Sequence, residues 1–236
     1  MIVIKDLRAN SLGEPLFERV NIVIRPGERV AVVGEQEGAV STFLRILSGE
    51  EESDRGTAAT EGERLAYISP EMFLEGGPAL GRLHHTRPTF IILDALAPGA
   101  SETAIQDALQ FIIGFRGGVL IAALDDRLIG AAKVTRVLEL HEDSKSITSF
   151  TGSYENFCSE QNIQRARSLE AYEKQQREKH RLEEWLEVKR KEASRDKKAP
   201  EKGAVIRAKV KYLKREILDK ELPKPSYGGE TSETEE

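Results

Sequence analysis

The stretch that decides the fold comprises residues 29–49, which read Arg29-Val-Ala-Val-Val-Gly34, Glu35-Gln-Glu-Gly-Ala-Val-Ser41-Thr42 and Phe43-Leu-Arg-Ile-Leu-Ser-Gly49. The apolar run before Gly34 predicts a buried strand. From Ser41 onward, apolar residues recur at helical spacing, and Gly49 is a typical helix stop. A strand, a tight loop and a helix in this order form the frame of a phosphate-binding loop.

The loop keeps only part of the phosphate-binding pattern. Gly34, Gly38, Ser41 and Thr42 match the pattern and are the predicted vestigial nucleotide-binding residues. Val40 stands where the lysine that reaches the terminal phosphates would be. Because each charge-assisted hydrogen bond lost with that lysine is worth roughly 1.5–3 kcal/mol, we expect nucleotide binding to be weak or lost. Ser41 and Thr42 also fit a second interpretation, as the N-cap of the helix.

Two further substitutions weaken the loop. Ala39 and Glu37 stand where the pattern has glycines. A Glu37 carboxylate facing the phosphates would repel them by about 3–4 kcal/mol at an effective dielectric of about 20. The alternative is that Glu37 points to solvent and has no such effect.

The composition indicates one globular domain with a polar appendage. Of the 236 residues, 39% are hydrophobic and 32% are charged. We expect a cytoplasmic protein, because the chain shows no N-terminal signal sequence and no apolar run near ~18 residues. The lone Cys158 excludes an internal disulfide, and the four histidines lack metal-ligand spacing.

The charge is distributed unevenly along the chain. Residues 1–163 contain 15 Lys/Arg and 24 Asp/Glu, which gives −9. Residues 164–215 contain 18 and 9, giving +9, and residues 216–236 contain 2 and 7, giving −5. An acidic body, a basic arm and an acidic tail are expected to meet different partners.

Strands and helices are predicted to alternate through residues 1–158. The predicted strands are 2–4, 20–24, 30–33, 65–68, 89–94, 119–123, 134–140 and 147–150. The predicted helices are 41–48, 79–85 and 101–115, while 50–62 is expected to be a loop and 70–77 irregular. This alternation predicts an α/β domain with a mainly parallel sheet.

Residues 159–221 are predicted to form a basic helical hairpin, followed by a disordered acidic tail at 222–236. The break Ala199-Pro-Glu-Lys-Gly203 separates two amphipathic segments. The residues expected to close the hairpin are Leu169, Tyr172, Leu182, Trp185 and Leu186 in the first helix and Ile206, Val210, Leu213 and Ile217 in the second.

The order of these landmarks resembles one cassette of the ABC-F branch of the ATP-binding cassette ATPases with its interdomain linker. The pieces that carry the resemblance are Asp126-Arg127 with Thr135-Arg-Val-Leu-Glu-Leu140, Ile147-Thr-Ser-Phe-Thr-Gly-Ser-Tyr154, Ala171-Tyr-Glu-Lys-Gln-Gln176 and Leu182-Glu-Glu-Trp-Leu186. The resemblance implies a P-loop NTPase-like fold, ATP and Mg²⁺ as cofactors, and a linker that reaches toward tRNA on the ribosome.

The positions that carry catalysis in that family differ in this chain. The replacements are Val40 for the loop lysine, Pro70 for the Q-loop glutamine, Glu75 for the signature serine, Ala95 for the general base, Ser101 for the D-loop aspartate and Asp125 for the switch histidine. Asp94 keeps the metal position, and the helical subdomain expected before Leu74-Glu-Gly-Gly77 is largely deleted. Because hydrolysis of ATP needs a base, a cation and a metal together, we expect a pseudo-ATPase.

Simpler interpretations remain for several of these residues. Asp94 and Asp125 also fit as caps of the segments that follow them, and Glu75 as a solvent-exposed side chain. The basic arm also fits a solvated helix without a nucleic-acid role.

Three functions are compatible with the sequence. We expect a non-catalytic module that binds the ribosome, tRNA or rRNA through its hairpin. The alternatives are a weak ATPase half-cassette completed in trans by another cassette, and a regulatory pairing partner of one. The charge of the arm suits contact with phosphates without base readout. The residues predicted to make this contact are Arg177, Lys189, Arg190, Lys191, Lys197 and Lys198.

Overall fold

The computed structural model describes residues 1–83, 86–195 and 212. The strands are β1 (Ile2–Ser11), β2 (Glu14–Ile24), β3 (Arg29–Gly34), β4 (Arg55–Thr60), β5 (Leu65–Ile68), β6 (Phe90–Ala95), β7 (Gly118–Ala123), β8 (Arg136–His141) and β9 (Ser146–Thr151). The helices are α1 (Glu37–Ser48), α2 (Pro70–Glu75), α3 (Gly77–Leu83), α4 (Glu102–Gly114), α5 (Asp126–Ala132) and α6 (Tyr154–Arg195). The chain divides into two compact units, Met1–Cys158 and Ser159–Glu236.

The first unit is built on a six-stranded sheet with the order β5-β6-β7-β3-β8-β9. Every neighbouring pair is parallel except β8 and β9, which are antiparallel. The predicted α/β class with a mainly parallel sheet is therefore confirmed. Strand β6 is buried along its whole length, as its run of apolar side chains predicts.

Successive side chains of the central strands enter two different cores. Ile92 and Leu120 belong to a cluster that also contains α1, whereas Ile91 and Ile121 belong to a second cluster with α2 to α5. Because side chains alternate between the two faces of a strand, this arrangement covers both faces of the sheet. The carboxyl ends of β3 and β6 lead directly to the loop before α1 and to Asp94.

A second sheet, with the order β2-β1-β4, is antiparallel and packs in the same core as α1. Strand β4 lies inside the stretch 50–62, so the prediction of a loop there was wrong. Gly56 is required at this edge, because its φ is +86° and a Cβ would lie 2.3 Å from the carbonyl oxygen of Asp6.

Two other boundaries differ from the predictions. Residues 70–75 form the helix α2, capped by Ser69, where an irregular segment was expected. Helix α1 begins at Glu37 with Gln36 as its N-cap, so Ser41 and Thr42 lie within the helix and the N-cap interpretation of this pair was wrong.

The second unit is described over residues 159–195 and at Tyr212. Most of α6 lies in it, and the whole helix is 42 residues long, or about 63 Å at 1.5 Å per residue. Leu169 and Tyr172 are half-buried, while Trp185 is 44% exposed. The side chains of Leu182 and Leu186, and the predicted second helix with Ile206, Val210, Leu213 and Ile217, lie outside the described residues, as do the predicted hairpin turn and the tail at 222–236.

Candidate functional site

The loop between β3 and α1 is short. Gly34 ends the strand and Glu37 begins the helix, so only Glu35 and Gln36 lie between them. The backbone N–H groups of Ala39 and Val40 donate to the carbonyl oxygen of Gln36, at 3.1 and 3.2 Å. Two of the amide groups that a phosphate loop would present to a ligand are thereby used inside the helix.

Val40 lies with its side chain in the core. It is 2% exposed and belongs to the same apolar cluster as Leu140. A Cβ built on Gly34 would lie 3.1 Å from Cγ2 of Val40 and 3.0 Å from Cβ of Leu140. The side chain that replaces the expected lysine thus fills the space beside the loop rather than facing it.

The exposed part of the loop is polar and carries no described cation. Glu37 and Gly38 are exposed in the first turn of α1, which agrees with the interpretation that Glu37 points to solvent. The side-chain amide of Gln36 donates to the Glu142 carboxylate. The N-terminal end of α1 therefore carries the carboxylate of Glu37 and contacts that of Glu142.

Asp94 is completely buried at the end of β6. Its carboxylate accepts hydrogen bonds from the Tyr67 hydroxyl at 3.3 Å and from the Leu96 N–H at 3.3 Å. Ser41 is a third hydrogen-bond partner. Burial raises the pKa of Asp94 above its ordinary value, although these three hydrogen bonds oppose the shift. Burial and the neighbouring Asp94 likewise raise the pKa of Tyr67.

The residues around Asp94 fit a Mg²⁺ nucleotide only in part. Mg²⁺ takes oxygen ligands in a nearly octahedral arrangement and usually retains several waters. The Ser41 hydroxyl and the Asp94 carboxylate are the pair of oxygens that a phosphate loop offers to Mg²⁺, whereas Pro70 and Ala95 offer no side-chain ligand. Within residues 1–83, 86–195 and 212, no group of three or more His, Cys, Asp or Glu side chains is placed to hold a metal.

The signature remnant is engaged in contacts within the unit. Glu75 forms a bidentate ion pair with Arg82, with both N–O distances 2.9 Å. The Gly77 N–H at the start of α3 donates to the Asp107 carboxylate at 2.8 Å. A Cβ at Gly77 would lie 2.9 Å from the same oxygen, so this close approach depends on glycine.

Asp125, which the resemblance places at the switch position, caps a helix. Asp125 caps α5 by accepting from the Arg127 N–H at 2.8 Å, as its alternative interpretation predicted. The Arg127 guanidinium binds both Asp125 and Glu102, and its proximity lowers the pKa of Asp125. Ser101 caps α4, which confirms the predicted start of that helix.

The predicted RNA-contacting residues are only partly described. Arg177 is exposed on α6, and Lys191 is exposed and pairs with Glu187 at 3.1 Å. Lys189 and Arg190 lie in α6 with side chains outside the described set, and Lys197 and Lys198 lie outside the described residues altogether.

The comparisons with known proteins begin with a family match. Residues 140–215 match a protein-family model described as ABC transporter. The chain is 22% identical over 201 residues to the probable ATP-binding protein YbiT of Escherichia coli O157:H7, covering 64% of this chain and 37% of that protein. It is 33% identical over 78 residues to the ATP-binding protein Uup of Caulobacter vibrioides, covering 32% and 13%. The chain thus spans well under half the length of these curated relatives.

The comparison with solved structures concerns the fold. A dimeric ATP-binding cassette, solved after hydrolysis with ADP and phosphate, aligns with a TM-score of 0.51 at 13% identity, covering 64% of this chain and 98% of that one. A metal-chelate type ABC transporter in an inward-facing conformation aligns with a TM-score of 0.50 at 12% identity, covering 64% and 82%.

This chain has the ATP-binding cassette fold. Its loop before α1 follows the carboxyl end of β3, and Asp94 lies at the carboxyl end of β6. Among the described residues between β5 and β6, the helices are α2 and α3, in keeping with the expected reduction of the cassette's helical subdomain. Among the described helices of this cassette protein, none combines the length and apolar character needed to cross a membrane.

Sequence reasoning missed Tyr67, which donates to Asp94. The residue stands in the predicted strand 65–68, where alternation places it on the face opposite Ile68. Its partner becomes visible only from the parallel register of β5 and β6, which pairs Tyr67 with Ile92.

Proposed function

We propose that this chain is a non-catalytic cassette of the ABC-F branch that acts as a binding module in translation. Its cassette is a pseudo-ATPase scaffold, and its basic arm contacts RNA of the ribosome or tRNA. A ribosomal partner places the protein in the cytoplasm. The chain neither binds Mg²⁺-ATP tightly nor hydrolyses it.

The observation that carries the pseudo-ATPase proposal is the buried Val40. A cassette that uses ATP needs a cation beside the terminal phosphates, and this side chain instead lies in the apolar core, 2% exposed. Asp94, which would face the metal, is surrounded by protein donors. The two curated relatives are named as ATP-binding proteins, so under this proposal the chain differs from them in not binding ATP tightly.

The test of the scaffold role is direct. Titration of the full chain with Mg²⁺-ATP by calorimetry is expected to show no binding in the micromolar range, and phosphate release is expected to stay at background. The control is Asp94→Asn, which should leave phosphate release unchanged. Turnover in the wild type that Asp94→Asn abolishes would show that the site is catalytic.

The RNA role rests on charge and on the family match. Residues 164–215 carry +9, and the matched segment 140–215 contains the whole of α6. Exposed lysines and arginines near phosphates release counterions, which favours binding at low salt. The pair between Lys191 and Glu187 neutralises part of this face, and the remaining excess of positive charge is what we expect to contact phosphates.

The test of the RNA role is co-sedimentation of the full chain with ribosomes across a salt series. Six phosphate contacts give a log–log slope of about −4 to −5 with salt. Reversal of Lys189, Arg190 and Lys191 to glutamate is expected to abolish co-sedimentation. Reversal of Arg165, Arg167 and Lys174, which are exposed in the first half of α6, is the charge-matched control. Equal co-sedimentation of the triple variant and the wild type would exclude this end of α6 as the RNA-binding surface.

A further inference from the structure

A groove of about 610 Å³ lies between α3 and α4 in the first unit. It is lined at its ends by Pro88 and Arg116, which stand just before β6 and β7. Asp94 stands at the opposite, carboxyl end of β6. The groove is therefore a different place from the nucleotide site of the cassette fold.

The walls of the groove are the facing stripes of two helices. Helix α4 contributes residues 107, 110, 111 and 114, and α3 contributes 77, 80, 81 and 83. The first set follows the spacing i, i+3, i+4, i+7, which marks one face of a helix. Gly81 and Gly114 add no side chain, and a Cβ at either would meet nothing within 4 Å. The open space above Gly81 and Gly114 leaves room between the two helices for a third helix to pack.

The floor of the groove is apolar and partly aromatic. Leu80 is 3% exposed and Leu83 is half-buried. Phe111 and Phe115 stack with ring centroids 6.1 Å apart and an interplanar angle of 15°. Ile113, on the neighbouring face of α4, is 68% exposed. An apolar surface of this kind on a water-facing groove is typical of an interaction site.

The rim of the groove carries two free cations. Arg87 and Arg116 are exposed lining residues, and neither forms an ion pair with any residue that the structure describes. The lining carboxylate, Asp107, is already held by the Gly77 N–H. A positive rim stands out on a body that carries −9 over residues 1–163. Charge complementarity therefore selects an acidic ligand at this place.

We propose that this groove binds an acidic amphipathic helix of a partner protein. The apolar face of that helix lies on Leu80, Phe111 and Phe115, in the helix-in-groove mode of recognition. Its glutamates or aspartates pair with Arg87 and Arg116. The glycines of α3 and α4 let the two backbones approach the bound helix closely.

The experiment uses the full chain and two synthetic peptides. One is a helical peptide with leucine along one face and glutamate beside it, and its twin has lysine at every glutamate position. Fluorescence anisotropy is expected to show the acidic peptide binding about tenfold more tightly than its twin, the size expected of two partly exposed ion pairs. Arg87→Glu combined with Arg116→Glu is expected to reverse this preference. Arg165→Glu with Arg167→Glu, on α6, is the charge-matched control and should preserve it.

A second pair of variants tests the groove itself. Gly81→Leu fills the space above α3 and is expected to abolish binding of the acidic peptide, whereas Gly81→Ala is expected to retain it. Both changes raise helix propensity, so neither should lower the melting temperature. Equal affinity for the two peptides would overturn the proposal, as would binding that survives Gly81→Leu. Displacement of the acidic peptide by dodecanoate, with no preference between the peptides, would assign the groove to a fatty acid and also overturn it.

Discussion

The interior of the large sheet and its carboxyl edge differ in the kind of side chains they contain. The interior keeps the packing of a cassette, with Ile91, Ile92 and Leu93 no more than 1% exposed between two apolar clusters. At the edge, Val40 is buried in the apolar core, and the buried Asp94 accepts hydrogen bonds from Tyr67 and Leu96. The difference teaches that the interior packing defines the fold, whereas the function depends on which side chains stand at the edge.

The largest effect on stability is expected from a substitution in the apolar interior. Phe43 is completely buried and makes an edge-to-face contact with Phe17 at 5.5 Å. Phe43→Ala should lower the free energy of unfolding by about 3–5 kcal/mol, because it leaves a cavity beside α1. Calorimetric unfolding measures the change. Phe43→Leu, as the size-matched control, should cost less than about 1.5 kcal/mol.

The next largest effect on stability is expected at Val40, where a lysine tests whether this position of the carboxyl edge is part of the apolar core. Val40→Lys restores the residue type of a phosphate loop, yet the position is 2% exposed. We expect a loss of about 2–3 kcal/mol in the free energy of unfolding, because a cation must be buried or the loop must open. Glu37→Lys adds a lysine at an exposed position of the same helix and should be nearly neutral. Wild-type stability of Val40→Lys together with micromolar binding of Mg²⁺-ATP would show that the loop is not closed.

A smaller effect is expected from the titration of Asp94. Because burial raises its pKa above the ordinary value of 3.8, the folded protein holds a proton that the unfolded chain has released in the range just above that value. The stability contributed by this group is therefore lost as the pH rises through that range. Asp94→Asn cannot titrate, so its stability relative to the wild type should improve as the pH rises. Urea unfolding at several pH values measures the difference, and parallel curves would contradict the raised pKa.

The smallest effect is expected at the signature remnant. Glu75 is exposed, and its partner Arg82 is also exposed. Glu75→Ser restores the residue of the family pattern but should change neither the melting temperature nor the affinity for Mg²⁺-ATP, because surface ion pairs contribute little. A melting temperature lowered as much as that of Val40→Lys would give this edge a structural role that its exposure does not predict.

Much of the fold was predictable because its strands are apolar and its turns are marked by glycine. Strand β4 was not, since the stretch 50–62 has the polar composition of a loop and all but one of the strand's residues are exposed. Its pairing, Lys5 with Thr57 for example, rests on backbone hydrogen bonds that no side-chain pattern reports. The start of α1 was missed because Gln36 makes no side-chain cap.

For the candidate site, the sequence predicted individual residues but not the contacts between them. The sequence shows a carboxylate after a buried strand, which is how Asp94 was found. It does not show that Ser41 and Tyr67 both reach it, because that depends on how α1 and β5 flank β6. The direction of Val40 was equally hidden, since a residue at a helix start can face the loop or the core.

The two hydrogen bonds to the carbonyl oxygen of Gln36 have a consequence for any binding measurement. If a nucleotide binds through the amides of Ala39 and Val40, it binds only those molecules in which these amides have left the carbonyl oxygen of Gln36. The apparent dissociation constant is then the intrinsic one divided by the fraction of open molecules. Variants that loosen this turn would then increase the apparent affinity without adding a contact to the ligand. The carbonyl oxygen of Gln36 competes with the ligand for the same two N–H groups.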